Sequence, residues 1–227
     1  METVVLDRIP IAMHAQSLMK RLGIKEENRH AAELTTLLDE SRGVAAPKVL
    51  YGAAYIEEKG GDAIVLEGTR FTSRVLRVNV EQAHRVFPFV ATCGRELEAW
   101  AHGKNDILER YWAESVKQLA VQLAVKFLRG HLTEKYRSAS LSSMAPGSLA
   151  DWPIEEQGVL FSLLGDTQGA IGVRLNDSFM MIPEHSVSGI LFPTEVRFES
   201  CQLCSRENCP GRRASYDKDL YERKYRL

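Results

Sequence analysis

An α+β fold is predicted by three features of the sequence. Runs rich in Val, Ile, Leu and Phe, bounded by Gly, Pro or Asn-Asp, read as strands. The stretch 105–135 repeats apolar residues at intervals of three and four, which reads as one long helix. Strands and helices do not alternate strictly, as they would in a doubly wound parallel sheet. With 227 residues and 25.5 kDa, the chain is long enough to bury roughly 70% of its unfolded surface. A core can therefore form without disulfides or metal.

Thr3–Ile11 reads as a first strand closing at Pro10, and Ile11–Leu22 as a helix ended by Gly23. Glu26–Ser41 sets Ala31, Leu34, Leu37 and Leu38 among charges, a second amphipathic helix stopped by Gly43 and Pro47. Val49–Glu57, Ala63–Leu66 and Thr69–Arg74 are predicted strands, with Gly60-Gly61 turning the chain between the first two. Phe87–Thr92 is a further strand and Arg95–His102 a helix. In the long helix Leu108, Trp112, Val116, Leu119, Leu123 and Phe127 share one stripe, and Asn105 or Asp106 can cap its N-terminus. Trp112 and Phe127 are assigned to the core.

Beyond Tyr136 the texture changes. Ser138–Gly147 is small, polar and loop-like, and Ile154–Leu164 is helical. Gly169–Leu175 and Ser178–Ile182 are predicted strands joined around Asn176-Asp177, followed by a strand over Val187–Phe192. From Cys201 onward cysteine, Arg, Lys and Tyr dominate, so the chain divides into a module over 1–199 and a Cys-rich tail over 200–227.

Composition excludes several functional classes. A formal net charge of -1 gives no basic footprint for nucleic acid. The chain has no apolar run long enough to span a bilayer and no signal-peptide pattern at Met1–Asp7, so a cytoplasmic location without membrane association is expected. There is no phosphate-binding Gly-rich loop, no His-Glu-x-x-His and no Gly-x-Ser-x-Gly. The cobalamin-ligating pattern Asp-x-His-x-x-Gly is missing too, and no side chain stands out as nucleophile or base.

Two loop-like segments remain as candidate sites. In Ser142–Ser148, Pro146 fixes φ and Gly147 admits conformations closed to other residues, so backbone N–H and C=O groups can approach a ligand. Trp152-Pro153 and Gln157 follow closely. Ser178–Ile190 sets two apolar runs around a polar turn, with His185 read as a surface turn residue. An ordinary connecting loop and an ordinary hairpin are the alternatives.

Taken in order, Ala145-Pro146-Gly147, a helix ending Leu160–Leu164, Ile171–Leu175, Ser178–Met181 and Ser186–Gly189 resemble the activation (reactivation) domain of cobalamin-dependent methionine synthase. The resemblance is specific over roughly 142–192. It implies an α+β, activation domain-like module with a twisted, mainly antiparallel sheet and flanking helices. It also implies that AdoMet (S-adenosylmethionine) is bound largely through the backbone of Ala145, Pro146 and Gly147. Where the family has an Arg that helps hold the AdoMet carboxylate this chain has Ser143, and where it has a Tyr after the glycine this chain has Ser148. A hydroxyl cannot replace a charged fork, so carboxylate recognition passes to another residue, with Arg137 as candidate. Gln122 falls near the place of the family's acidic ligand residue on the long helix, with Glu114 as the alternative. The implied role is reductive re-methylation of a corrinoid carried by a partner methyltransferase, methionine synthase or a relative, with electrons from a low-potential donor. The rival readings are a non-catalytic module that docks on a corrinoid protein and an iron–sulfur electron-transfer protein.

The tail carries Cys201-x-x-Cys204-x4-Cys209-Pro210, a spacing that can wrap one metal, and Cys93 could supply a fourth thiolate. An iron–sulfur cluster, zinc and free thiols are all compatible with it.

Overall fold

The computed structural model describes residues 1–25, 27–137, 140–209 and 211–226. Glu26, Ser138 and Pro210, on which three of the sequence expectations fall, lie outside the described residues. The architecture is α+β, and every strand pairing among the described residues is antiparallel.

The chain starts with β1 (Thr3–Leu6), α1 (Ala15–Leu22) and α2 (Ala31–Val44). Then come β2 (Lys48–Gly52), β3 (Ala54–Gly60), β4 (Ala63–Leu66), β5 (Thr69–Thr72), α3 (Arg74–Asn79) and β6 (Arg85–Thr92). After α4 (Arg95–His102) and α5 (Ile107–Tyr136) follow β7 (Leu141–Met144), α6 (Glu156–Leu164) and α7 (Thr167–Ile171). A small hairpin, β8 (Arg174–Leu175) with β9 (Met181–Ile182), leads into β10 (Ser186–Pro193). A 3-10 turn over Ser200–Leu203 and α8 (Leu220–Lys224) finish the chain.

β6 is the central strand. On one side it pairs with β2 and, further along, β3; on the other with β10, which in turn pairs with β7. β6 is covered on both faces, which is why it reads as an unbroken apolar run. Alternation sorts the side chains. Val49, Tyr51, Phe89, Ala91, Leu141 and Leu191 face Ala124, Leu128 and Leu132 of α5. Leu50, Val90, Met144, Ile190 and Phe192 face the other way, toward Trp152 and α6. A third cluster joins α1, α2, α4 and the first half of α5 around Trp112.

Several expectations are corrected by local chemistry. The first strand stops at Leu6 and the strand predicted to Arg74 stops at Thr72, because Ser73 caps α3 by accepting from Leu76 N at 3.0 Å. The strand expected over Gly169–Leu175 survives only as Arg174–Leu175, and its first three residues belong to α7. Asp166 accepts from Gly169 N at 2.7 Å and starts a helical turn instead. The strand expected over Ser178–Ile182 is only Met181–Ile182, since Asn176 Oδ1 accepts from Ser178 N and Met180 N and rounds the chain into a longer turn. The loop expected to run to Gly147 contains β7.

α5 runs 30 residues and is about 45 Å long. Asp106 caps it through Leu108 N and Glu109 N. Its buried face begins on the predicted stripe at Trp112 and Val116, then passes through Ala120, Ala124, Leu128 and Leu132. Leu119, Leu123 and Phe127 are only partly buried. The alanines let the helix axis approach the sheet closely.

The tail is packed on the molecule rather than free of it. Tyr225 is fully buried beside Phe198, its hydroxyl donates to Asn79 Oδ1 at 3.0 Å, and its carbonyl accepts from Arg74.

Candidate functional site

Among the described residues β7 pairs with no strand but β10, which leaves its other edge without a strand, and the segment carrying the Ala-Pro-Gly motif leaves directly from its end. Ser143 shares the α5-facing side of Leu141, and one alternation later the chain reaches Ala145. Across the pairing, Leu191 and Gly189 lie on the same side, followed by Val187, which is exposed. Gly189 cannot be replaced without moving the chain: a Cβ there would stand 2.5 Å from the carbonyl oxygen of Met144. Its glycine lets β10 close on the root of the loop.

The loop itself is a tight structure. Gly147 sits at φ +76 and donates its N–H to Trp152 O at 2.7 Å, and a Cβ there would meet Ile154 Cδ1 at 2.8 Å. Ser148 Oγ donates to Ala145 O at 2.6 Å and lies 3.4 Å from Ser200 Oγ. Pro146 is buried, Ala145 half-buried, and Gly147 and Ser148 are exposed. Buried Gln157 accepts from Ser188 Oγ at 2.8 Å and donates to Phe179 O at 2.6 Å. One amide thus ties together three of the segments that carry the resemblance.

The flank of α5 that borders this surface carries Glu114, Gln118, Gln122 and Arg129, spaced to fall on one side of the helix. Gln122 and Gln118 both accept from the guanidinium of Arg21 on α1, Gln122 at 3.0 Å. Arg129 Nη1 donates to Leu141 O at 2.6 Å and Nη2 to Ser143 Oγ at 2.8 Å. Arg137 is exposed in the left-handed cap of α5, two turns beyond Arg129. The cation that reaches Ser143 is therefore Arg129. The sequence signal for it was its spacing of seven from Gln122, which places both residues on one flank.

At the Ser186 end of β10 a cleft of about 560 Å³ opens between α4, α5 and the β9–β10 connection, lined by Arg95, Glu98, Glu114, Lys117 and Arg174 among others. Lys117 is 2% exposed and its ammonium lies 3.1 Å from Glu98 and 2.8 Å from Glu114. Burial alone would lower its pKa, but the two carboxylates outweigh that and raise it. His185 Nδ1 is 3.4 Å from Glu114 Oε2, close enough for an ion pair once protonated but without hydrogen-bond geometry. Burial, with Lys117 adding to it, lowers the His185 pKa, so the ring is neutral at pH 7. His185 is half-buried, not the surface turn residue expected.

The structure does not bring the four cysteines together. Among the described residues no group of three or more His, Cys, Asp or Glu side chains is disposed to hold a metal ion. Cys93 is fully buried in the helical cluster, its Sγ 3.8 Å from Glu98 Oε2. Burial, then Glu98, pushes its thiol up to about 12, which opposes the thiolate a metal needs. Cys201, Cys204 and Cys209 are half-buried, and the Arg212 guanidinium donates to the carbonyls of Cys201, Cys204, Arg206 and Ala214. Among the described residues no helix is long and apolar enough to cross a membrane.

No protein-family model matches the chain, and no curated protein matches it. Among solved structures it is similar to the crystal structure of the MetH reactivation domain bound to AdoHcy. The TM-score is 0.59 at 14% identity, over 88% of this chain and 81% of that one. At that identity the likeness shows the fold: an α+β domain with an antiparallel sheet and flanking helices.

Proposed function

We propose that the surface between the α5 flank and the β7–β10 edge binds AdoMet and its product AdoHcy, and that the chain assists re-methylation of a corrinoid held by a partner methyltransferase. The observation that carries this reading is the backbone cradle at Ala145–Ser148. Gly189 and Gly147 leave no room for side chains at its root, and Gly147 and Ser148 are exposed. Such a cradle suits a nucleoside read through main-chain groups. The reactivation domain with the similar fold was solved with AdoHcy, which supports the same ligand class here.

In this reading AdoMet supplies the methyl group and the partner's reduced corrinoid receives it, after a low-potential donor has delivered one electron. This chain's own contribution is positioning. Ala145, Pro146 and Gly147 supply the ligand's backbone contacts through groups the loop does not itself engage, Ser143 and Ser148 border them, and Gln122 on α5 is a further contact. No side chain is needed as a nucleophile.

Calorimetric titration tests the ligand. The wild-type chain should bind AdoHcy, and Gly147→Val should abolish binding, since the added side chain meets Ile154 and φ +76 is strained for Val. The absence of any heat or thermal shift with millimolar AdoHcy or AdoMet in the wild type would refute the reading. The partner reaction is followed by visible absorbance: with a Co(II) corrinoid methyltransferase, AdoMet and a low-potential reductant, adding this chain should speed loss of the Co(II) spectrum.

A further inference from the structure

Two guanidiniums hold one carboxylate beside the cradle, and a third stands within its electrostatic reach. Glu199 is 7% exposed. Its Oε1 accepts from Arg197 Nε at 3.1 Å and Nη2 at 2.8 Å, while Oε2 pairs with Arg213 Nε at 3.2 Å. The same side chain also accepts from the backbone N–H of Gln202, so Glu199 is saturated by its own segment. Arg129 is left over. Among the described residues no carboxylate lies within ion-pair distance of it; its bonds go to a carbonyl and a hydroxyl, both neutral.

That arrangement is costly unless something completes it. A guanidinium has five N–H donors in a fixed fork, and the two bonds to Leu141 O and Ser143 Oγ engage only part of them. Burial lowers the Arg129 pKa, and Arg213 and Arg197 act in the same direction against the help of Glu199. The three arginines and Glu199 leave two positive charges in excess. The two bonds also fix the plane of the fork at Ser143, two residues before Ala145, where the cradle begins. Ser148, at the cradle's other end, lies against Ser200, which follows Glu199 directly. The cation and the cradle thus share both flanks.

We infer that Arg129 receives the carboxylate of an amino-acid-bearing ligand in the cradle, with Ser143 as its positioning residue and Arg197 and Arg213 maintaining the positive field. The inference rests on the AdoMet/AdoHcy reading above and deepens it by naming the group that selects the ligand's amino-acid end. A purely structural role for Arg129, donating to the Leu141 carbonyl of β7, predicts no dependence of binding on the ligand's charge.

The test titrates the full chain with three probes: AdoHcy, its methyl ester, and methylthioadenosine, which keeps the thioether nucleoside but has no carboxylate. The wild type should bind AdoHcy about tenfold or more tightly than the ester, the value of one charge-assisted fork. Arg129→Met should bind AdoHcy and the ester alike, with methylthioadenosine unchanged from wild type, and Arg129→Lys should restore part of the discrimination. Equal affinity of the wild type for AdoHcy and its ester overturns the assignment without any variant. So does an Arg129→Met protein that discriminates acid from ester as the wild type does, and in both cases the proposed function stands. If the wild type binds none of the three probes, the proposed function falls and this inference falls with it.

Discussion

The two ends of the α5 flank hold a cation each, Lys117 buried and Arg129 half-buried, and they treat it in opposite ways. At the Glu114 end Lys117 is enclosed by Glu98 and Glu114, with His102 and His185 on the outer side of those carboxylates. There the ammonium has two carboxylate partners. At the other end, about 18 Å further along the helix, Arg129 has only neutral acceptors. A saturated pair fixes structure. A cation with only neutral acceptors, bonded to the residue two before the loop, is arranged for something that arrives from outside.

The largest expected effect tests the Lys117 end. Lys117→Met removes the cation and leaves Glu98, 18% exposed, beside Glu114 with no counter-charge. The loss in stability should be about 3 kcal/mol in denaturant unfolding. A change below about 1 kcal/mol would mean that the pair is as replaceable as a surface contact.

Arg129→Met should behave differently. It removes a desolvated charge that has no ionic partner and substitutes apolar length for it, while Leu141 O at the sheet edge returns to water. Stability should change by less than about 1.5 kcal/mol. A loss as large as that of Lys117→Met would erase the contrast between the two ends and make Arg129 a structural residue.

A third measurement compares thiols. Cys93, its thiol pushed up to about 12, should resist alkylation at pH 8 in native metal-free protein while the half-buried tail cysteines react. Mass spectrometry of the native protein should find Cys93 labelled last. Early labelling would show that the helical cluster around Glu98 and Lys117 opens readily.

The smallest effect is the pH slope of the Lys117 end. The His185 pKa is lowered on folding, so the unfolded chain takes up a proton first as pH falls. Its contribution is fully present above the ordinary His value of 6.5 and is lost progressively as pH drops through the lower folded value. The groups facing it are Lys117, Glu114, Glu98 and Glu184, of which Lys117 deepens the depression and the carboxylates oppose it. His131 is depressed as well and titrates in the same direction. Melting temperatures between pH 7.5 and 5 should fall less steeply in His185→Gln than in wild type. Identical slopes would remove His185 from the account.

Much of the fold was legible because its signals are local. Arg95–His102 was predicted to its ends, and the long helix was placed within two residues, since periodicity and the Asp106 cap sit within a few residues of each other. β6 and β10 announced themselves as apolar runs. The misreadings were local contests too: Asp166 and Asn176 bind nearby backbone N–H groups and turned two expected strands into a helical turn and a longer loop. The loop carrying the candidate site was found from Pro146 and Gly147, whose backbone constraints are visible in any context.

Sequence by itself determined the α+β class, the long helix and the strands around β6, because hydrophobic period and turn chemistry act over a few residues. Tertiary structure alone decided which charges meet. Lys117 finds Glu98 across 19 positions, His185 finds Glu114 across 71, and Arg129, not Arg137, reaches Ser143. It also decided that α5 buries its alanines against the sheet, and that Tyr225 closes the core instead of ending a loose tail. Charge pairing and close packing depend on distances between elements. Those distances are set by how sheet and helices stack, and no local pattern along the chain encodes them.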